Sequence, residues 1–313
     1  MKTLVIGAAG FVGSYLIREL ENFGDIVTAA DTAAALPVLL QSRAEALGID
    51  ILQRESIEKV LSLANSERVI LLAAQSSVRR SWEDPAGTIE TNVVGSVNVL
   101  EAIRASNRKV RVLLIGSAEE YGDTSNSAGP IGETRPLAPA NPYAITKSCQ
   151  EDFGKLYCNA YAMDIVLVRA FNHIGPGQRP GFVIPDFSSS IAKTERGEQE
   201  PLLKIGNLDA MRDFTDVRDI VRAYRLLLEK GKSGEVYNVG SGLAIPISQL
   251  LAILIGMSKL PIHTEIDPNK YRPIDIKCIV ADISKLKDAT KWHPEISLKK
   301  SLTDSLEYWR LQQ

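Results

Sequence analysis

Gly7-Ala8-Ala9-Gly10-Phe11-Val12-Gly13 lies between an apolar, β-branched run (residues 3–8) and a helical pattern (residues 12–22). Three glycines at that junction allow a tight turn, a close approach of backbone to a bound group, and close packing of helix on strand. The N-terminus of the helix behind them favours an anion. The spacing is GxxGxxG, and in a strand-turn-helix setting it reads as a phosphate loop.

Outward from this loop, β-branched runs at 25–30, 48–52, 68–73, 111–117 and 164–170 predict strands. Stretches such as VILLAA (69–74) are apolar without alternation, as strands covered on both faces require. Helical patterns at 57–63, 89–106 and 142–161 separate them, and a later helix (217–230) leads to a last strand (235–239). Strand-helix repetition of this kind predicts an α/β fold, a Rossmann-type doubly wound parallel sheet. Residues 172–213 are rich in Gly and Pro, with one helix at 185–196, and residues 242–313 carry further helices. We therefore expect an NAD(P)-binding domain at 1–171 plus 214–241. A smaller α/β substrate-binding lobe is expected at 172–213 plus 242–313, over the carboxyl ends of the strands, where open α/β sheets bind ligands.

A formal net charge of −2 over 313 residues offers no basic stripe for nucleic acid. The three cysteines, Cys149, Cys158 and Cys278, form no CxxC pair, which argues against a zinc site or disulfide framework and fits a cytoplasmic setting. A first strand starting at Thr3 leaves no room for a signal peptide, and no apolar run reaches membrane-spanning length.

The second strand ends in Asp31. A carboxylate there can accept from both ribose hydroxyls of NAD(H) and repels a 2′-phosphate, so NAD(H) is favoured, with NADP(H) possible. Asp50, at the end of the third strand, is a similar candidate for the adenine amino group. Ala73 and Ala74 close the fourth strand with side chains small enough for a cofactor to pass.

Tyr143-Ala144-Ile145-Thr146-Lys147 follows Asn141-Pro142, a clean helix start. A phenol titrates near ~10 and is a poor catalyst at neutral pH unless a cation stabilises its anion. Lys147, one turn on, shares the face of Tyr143 and can supply that field while holding a ribose. Ser117, at the end of the fifth strand, can hydrogen-bond the reacting oxygen and share its proton. Each feature alone is common; in this order they point to hydride-transfer chemistry.

GAAGFVG, Asp31, Ser117 and Tyr143-x-x-x-Lys147 resemble the extended short-chain dehydrogenase/reductase family over essentially the whole chain. The stretches SSVRRSWEDP, GSAEEYG, ANPYAITK, FNHIGPGQRPGFV, GNLDAMRDFTDVRDIV and YRPID are similar to its reductases and dehydratases of GDP-linked sugars. The resemblance implies a nucleotide-sugar substrate, GDP-linked, contacted by Ser117, Ala118, Asn172, Arg212 and the run Arg272, Pro273, Ile274 and Asp275. Lys193 is a further candidate. It also implies cofactor contacts at Gly7, Gly10, Phe11, Val12, Gly13, Tyr143, Lys147 and the backbone around His173, and a homodimer formed through helices 89–106 and 142–161. Asn172, Arg212 and Arg272 suit a diphosphate on physical grounds as well.

Reductases, dehydratases and epimerases of this family share hydride transfer at a sugar carbon and differ in the later steps. Many dehydratases carry Thr-Asp-Glu where this chain has Ser117-Ala118-Glu119, and Ala118 cannot protonate a leaving hydroxyl. We therefore expect reduction of the C4 ketone of GDP-4-keto-6-deoxy-mannose. Glu119, a candidate catalytic base, keeps a GDP-mannose dehydratase open. A non-catalytic NAD(H) sensor would have no need of the proton-transfer residues. Asp213, Asp216 and Asp219, interleaved with Arg212 and Arg218, read as a capped, salt-bridged helix start, and no metal site is expected.

Overall fold

A computed structural model of the chain describes residues 1–32, 44–125, 127, 129–271 and 276–312. The candidate substrate residues Arg272, Pro273, Ile274 and Asp275 lie outside the described residues. Its first half runs β1 (Lys2–Ile6), α1 (Phe11–Asn22), β2 (Ile26–Asp31), β3 (Glu45–Gly48), α2 (Arg54–Ala64) and β4 (Arg68–Leu71). Then come α3 (Val78–Glu83), α4 (Pro85–Ile89), α5 (Gly95–Ala105), β5 (Arg111–Ser117), α6 (Pro142–Tyr161) and β6 (Asp164–Ala170). The second half holds β7 (Asn172–Ile174), α7 (Val183–Glu195), β8 (Leu202–Ile205), β9 (Met211–Asp216), α8 (Val217–Lys230) and β10 (Val236–Val239). It closes with β11 (Ala244–Pro246), α9 (Ile247–Gly256), β12 (His263–Ile266), β13 (Cys278–Ile279), α10 (Ser284–Thr290) and α11 (Leu298–Leu311).

Seven strands form one parallel sheet in the order β10-β6-β5-β4-β1-β2-β3. The strand order steps out from β1 in both directions, which is the doubly wound arrangement expected. Side chains divide by alternation: Leu4, Ile6, Val69, Leu71, Val112 and Leu114 pack on one face with Ile57 of α2 and Leu100 of α5. Val5, Ile70, Leu113, Val166 and Val168 pack on the other with Leu16 of α1 and Leu227 of α8. Burying one such side chain contributes about 1.5–3 kcal/mol, which explains why these strands read as unbroken apolar runs.

Three expectations are corrected. The third strand is β3, which pairs with β2 through Asp31 opposite Gly48 and ends before residues 49–52. Ile49 and Ile51 are buried, but the Asp50 carboxylate accepts from Leu52 N at 2.9 Å and turns the chain into α2. The single helix at 89–106 is interrupted by a π turn, Glu90–Val94, between α4 and α5. Within that turn Asn92 is fully buried, accepting from Gln75 N and donating to Gln75 O and the Thr146 hydroxyl. Lastly, the stretch expected to hold one helix holds it as α7 but also contains β7, β8 and the start of β9.

β9 explains the last correction. Its sequence, MRDFTD, is charged, yet it is almost wholly buried between β7, β11 and β13. Asp213 is fully buried and accepts from Ser241 N (2.7 Å), Ser241 Oγ (2.6 Å), Gly242 N (2.9 Å) and Ala281 N (3.1 Å). Only Asp216 and Asp219 do what the helix-start reading required: Asp216 caps α8 at Arg218 N and Asp219 pairs with Arg222. A third apolar core, with Phe187 of α7, Leu250 of α9, Phe214 of β9 and Leu302 of α11, lies beneath these elements.

Because three backbone N–H groups converge on one buried carboxylate, Asp213→Ala is expected to cost about 3–5 kcal/mol. Urea unfolding checks this, and an unchanged midpoint would remove Asp213 as the junction between β9 and residues 241–281.

Candidate active site

The strands' carboxyl ends open into a cleft of about 970 Å³, bordered by the glycine loop, the ends of β2, β4, β5 and β6, and residues of β7, α7 and β9. The loop takes its shape from two close approaches. Gly7 has φ +89°, and a Cβ there would stand 2.4 Å from Ala73 N. A Cβ on Gly13 would stand 2.3 Å from Ala8 O. Gly10 is the N-cap of α1 and provides no side-chain cap, so the first amides of that helix have no such acceptor. Gly7, Gly10, Phe11, Val12 and Gly13 all border the cleft. A phosphate-bearing cofactor fits this cradle: the glycines pack the loop tightly on its neighbouring backbone, and an uncapped helix N-terminus borders the cleft.

Asp31 borders the cleft, with Oδ2 accepting from Ala9 N (2.9 Å) and Oδ1 from Thr32 N (2.7 Å). Its carboxylate thus braces the glycine loop, takes a further bond from the Thr32 hydroxyl at 3.1 Å, and retains a lone pair for a ribose hydroxyl. Asp50, Ala73 and Ala74 also border the cleft.

Ser117 and Tyr143 both line the cleft, and the Ser117 side chain acts to lower the pKa of the Tyr143 phenol. Ser117 comes from β5, and its Oγ accepts from Glu119 N at 3.2 Å. Tyr143 stands in the first turn of α6, whose Asn141 cap accepts from Ala144 N at 2.8 Å. Lys147 is buried on the same face, but its ammonium donates to Ile115 O and Gln150 Oε1, each at 2.7 Å. The expected lowering of Tyr143 by Lys147 is therefore corrected. Burial drives the phenol well above its usual value, Glu120 and Glu119 add to this, and only the Ser117 side chain opposes it. Burial also lowers Lys147, to about 8, against the attraction of Glu120.

Ala118 is buried at the cleft wall, and Glu119 is half-buried beside it, with Oε2 accepting from Asn141 Nδ2 at 2.9 Å. Asn172 is exposed at the start of β7 and borders the cleft. The His173 ring lies nearly parallel to Phe11, centroids 6.2 Å apart, with Nδ1 3.0 Å from Phe171 O, and burial lowers its pKa. Arg212 reaches the cleft from β9 although its residue is buried. Lys193 does not: it is exposed in the last turn of α7 and away from the cleft wall, because the helix turns its apolar side inward and Lys193 outward.

Several cleft residues escaped the sequence reading. Arg179, Lys204 and Lys270 bring further positive charge to the wall, and Trp82, Phe182 and Tyr271 bring exposed aromatic rings. Lys204 was legible in principle, since β8 (LLKI) alternates exposed and buried residues and puts Lys204 on the outer side. Gln150, which holds Lys147, carries no signal of its own beyond lying three residues along the same helix.

A family profile described as GDP-mannose 4,6 dehydratase matches residues 4–305. The GDP-6-deoxy-D-mannose reductase of Pseudomonas aeruginosa is 34% identical over 309 residues, covering 98% of this chain and 97% of that protein. The structure of RMD from Pseudomonas aeruginosa, complexed with NADPH, superposes with a TM-score of 0.86 at 32% identity, covering 99% of both chains. UDP-glucose 4-epimerase of Thermotoga maritima, with UDP-glucose, gives a TM-score of 0.87 at 31% identity, again over 99% of both chains. Members of one family thus carry out different reactions on this scaffold. With the parallel sheet, the glycine cradle and the Ser117–Tyr143 pair in place, the chain belongs to the GDP-mannose 4,6 dehydratase family of extended short-chain dehydrogenase/reductases.

Proposed function

We propose that this protein reduces the C4 ketone of GDP-4-keto-6-deoxy-mannose to GDP-rhamnose, using NAD(P)H. The observation that carries this reading is the placement of Ser117, Ala118 and a buried Tyr143 together on the cleft wall. Bound NAD(P)H supplies the hydride. Tyr143 gives its proton to the C4 oxygen as negative charge develops there, and Ser117 steadies that oxygen. A phenol held above its usual pKa keeps its proton until an alkoxide is there to take it. Lys147 holds the ribose.

In this reading residues 1–171 plus 214–241 hold the cofactor. Gly7, Gly10, Phe11, Val12 and Gly13 take the pyrophosphate, Asp31 the adenosine ribose and Asp50 the adenine, while Ala73 and Ala74 leave room for the cofactor and the backbone at His173 meets the nicotinamide. Residues 172–213 plus 242–313 hold the nucleotide-sugar, with Asn172 and Arg212 on its diphosphate. The carboxylate of Asp31 favours NADH, although the similar Pseudomonas structure is complexed with NADPH. The protein works in the cytoplasm; among the described residues no helix is long and apolar enough to cross a membrane. Ile89, Val94, Ile145, Leu156 and Tyr161 are exposed on the helices 85–105 and α6, which supports a homodimer formed there. Sedimentation of a dimer that Leu156→Glu splits into monomers tests this, and a wild-type monomer rejects it.

One observation favours a second reading. Glu119 borders the cleft, positioned by Asn141, where a dehydratase would need its base.

Incubation with GDP-4-keto-6-deoxy-mannose and either NADH or NADPH separates the two. Oxidation of the cofactor with formation of a GDP-linked 6-deoxyhexose is expected, faster with NADH. Conversion of GDP-mannose to its 4-keto-6-deoxy product without net cofactor use would establish the dehydratase instead. Tyr143→Phe is expected to lower kcat by about 10²–10⁴-fold with nucleotide affinity unchanged; unchanged turnover would remove Tyr143 from the mechanism. Lys147 must carry its proton to act, so kcat should fall as pH rises through about 8. A rate that climbs steadily above that pH would contradict a protonated Lys147.

A further inference from the structure

Behind the catalytic residues lies a carboxyl group that the proposed reduction does not use. Glu120 is fully buried in the turn that ends β5. Its Oε1 accepts from Ser117 N at 2.6 Å, closing a reciprocal cap with the Ser117 side chain. A Cβ on Gly116 would stand 2.5 Å from the same oxygen, so the glycine leaves room for the carboxyl to reach back. Its Oε2 is buried without a hydrogen-bond partner, 3.8 Å from Arg169 Nε. Arg169 is already committed elsewhere, donating to both oxygens of Glu151 at 2.8 and 2.6 Å and to the Tyr121 hydroxyl at 2.7 Å. Glu120 thus shares its counterion, Arg169, with Glu151 and is the more distant of the two.

We propose that Glu120 is a positioning residue for Ser117, Tyr143 and Lys147, pinning the end of β5 through Ser117 N and setting a titratable charge behind the other two. The inference rests on the catalytic reading of Tyr143. The charged and titratable groups that interact with this carboxyl are Tyr143, Lys147 and Glu151 on α6 and Arg169 on β6. When Glu120 is ionised it stabilises the Lys147 ammonium and opposes tyrosinate at Tyr143, so both keep their protons to higher pH. Burial and the nearby Glu151 raise the carboxyl of Glu120 itself, against Arg169 and Lys147, so its ionisation is drawn toward the range in which Lys147 titrates. One buried proton then bears on two catalytic groups.

The test compares wild type, Tyr143→Phe and Glu120→Gln, full-length and with NAD(P)H present. Gln keeps an acceptor for Ser117 N and removes the charge. The alkaline limb of kcat against pH is expected to move down by about one unit in Glu120→Gln, with KM within about twofold of wild type. Tyrosinate absorbance, with Tyr143→Phe as the blank, should likewise appear at lower pH. A rate that falls with both curves unmoved means that Glu120 only holds the turn, and overturns the proposal. Should Glu120→Gln not fold, Glu120→Asp draws the carboxyl back and should give a smaller shift in the same direction; an unmoved limb there overturns it equally. Wild-type turnover by Tyr143→Phe would defeat the catalytic reading instead. The absorbance titration needs no sugar substrate and still decides the role of Glu120.

Discussion

All seven strands of the main sheet run parallel, and the cleft is a consequence of that constraint. Asp31, Leu71, Ser117 and Ala170 end their strands on one edge, although 139 residues separate the first of them from the last. A parallel sheet must be covered on both faces, which is why two separate apolar cores flank it. The edge is the one place where backbone groups and polar side chains can meet a ligand without disturbing either core. Glycines at 7 and 13 then let helix α1 and the end of β4 close in until any side chain would collide.

Once the strand ends are aligned, the chemistry depends on how two charged groups are kept from saturating each other. Lys147 is bonded to a carbonyl and an amide, not to a carboxylate, and burial lowers its pKa to about 8. Arg169 and Glu151 pair fully below, sparing the site a second strong cation. Tyr143 therefore sits in an environment set mainly by burial, with the Ser117 side chain acting against it. That balance suits a proton donor more than a ready base.

The elements most legible in the sequence were those whose stability comes from one repeating pattern. β5, α6, β6 and α8 have the bounds expected from apolar runs and from Asn141-Pro142 or the Asp216 cap. β9 was not legible, since it buries Arg212, Asp213 and Asp216 and owes its place to hydrogen bonds from residues 241–281. Periodicity cannot report a carboxylate whose partners lie so far along the chain. Lys193 failed for a related reason, since a cation on a helix has no marked direction until the packing of that helix is known.

The sequence alone determined the parallel sheet, the glycine turn and the presence of Ser117, Tyr143 and Lys147 in workable order, because each rests on local spacing. Tertiary structure decided the state of those groups. It turned the Lys147 ammonium to Ile115 and Gln150, raised the Tyr143 phenol by burial, and placed Glu120 behind both. Solvation and charge at a buried atom depend on everything that surrounds it in space, and in this protein those neighbours come from β5, α6 and β6 together.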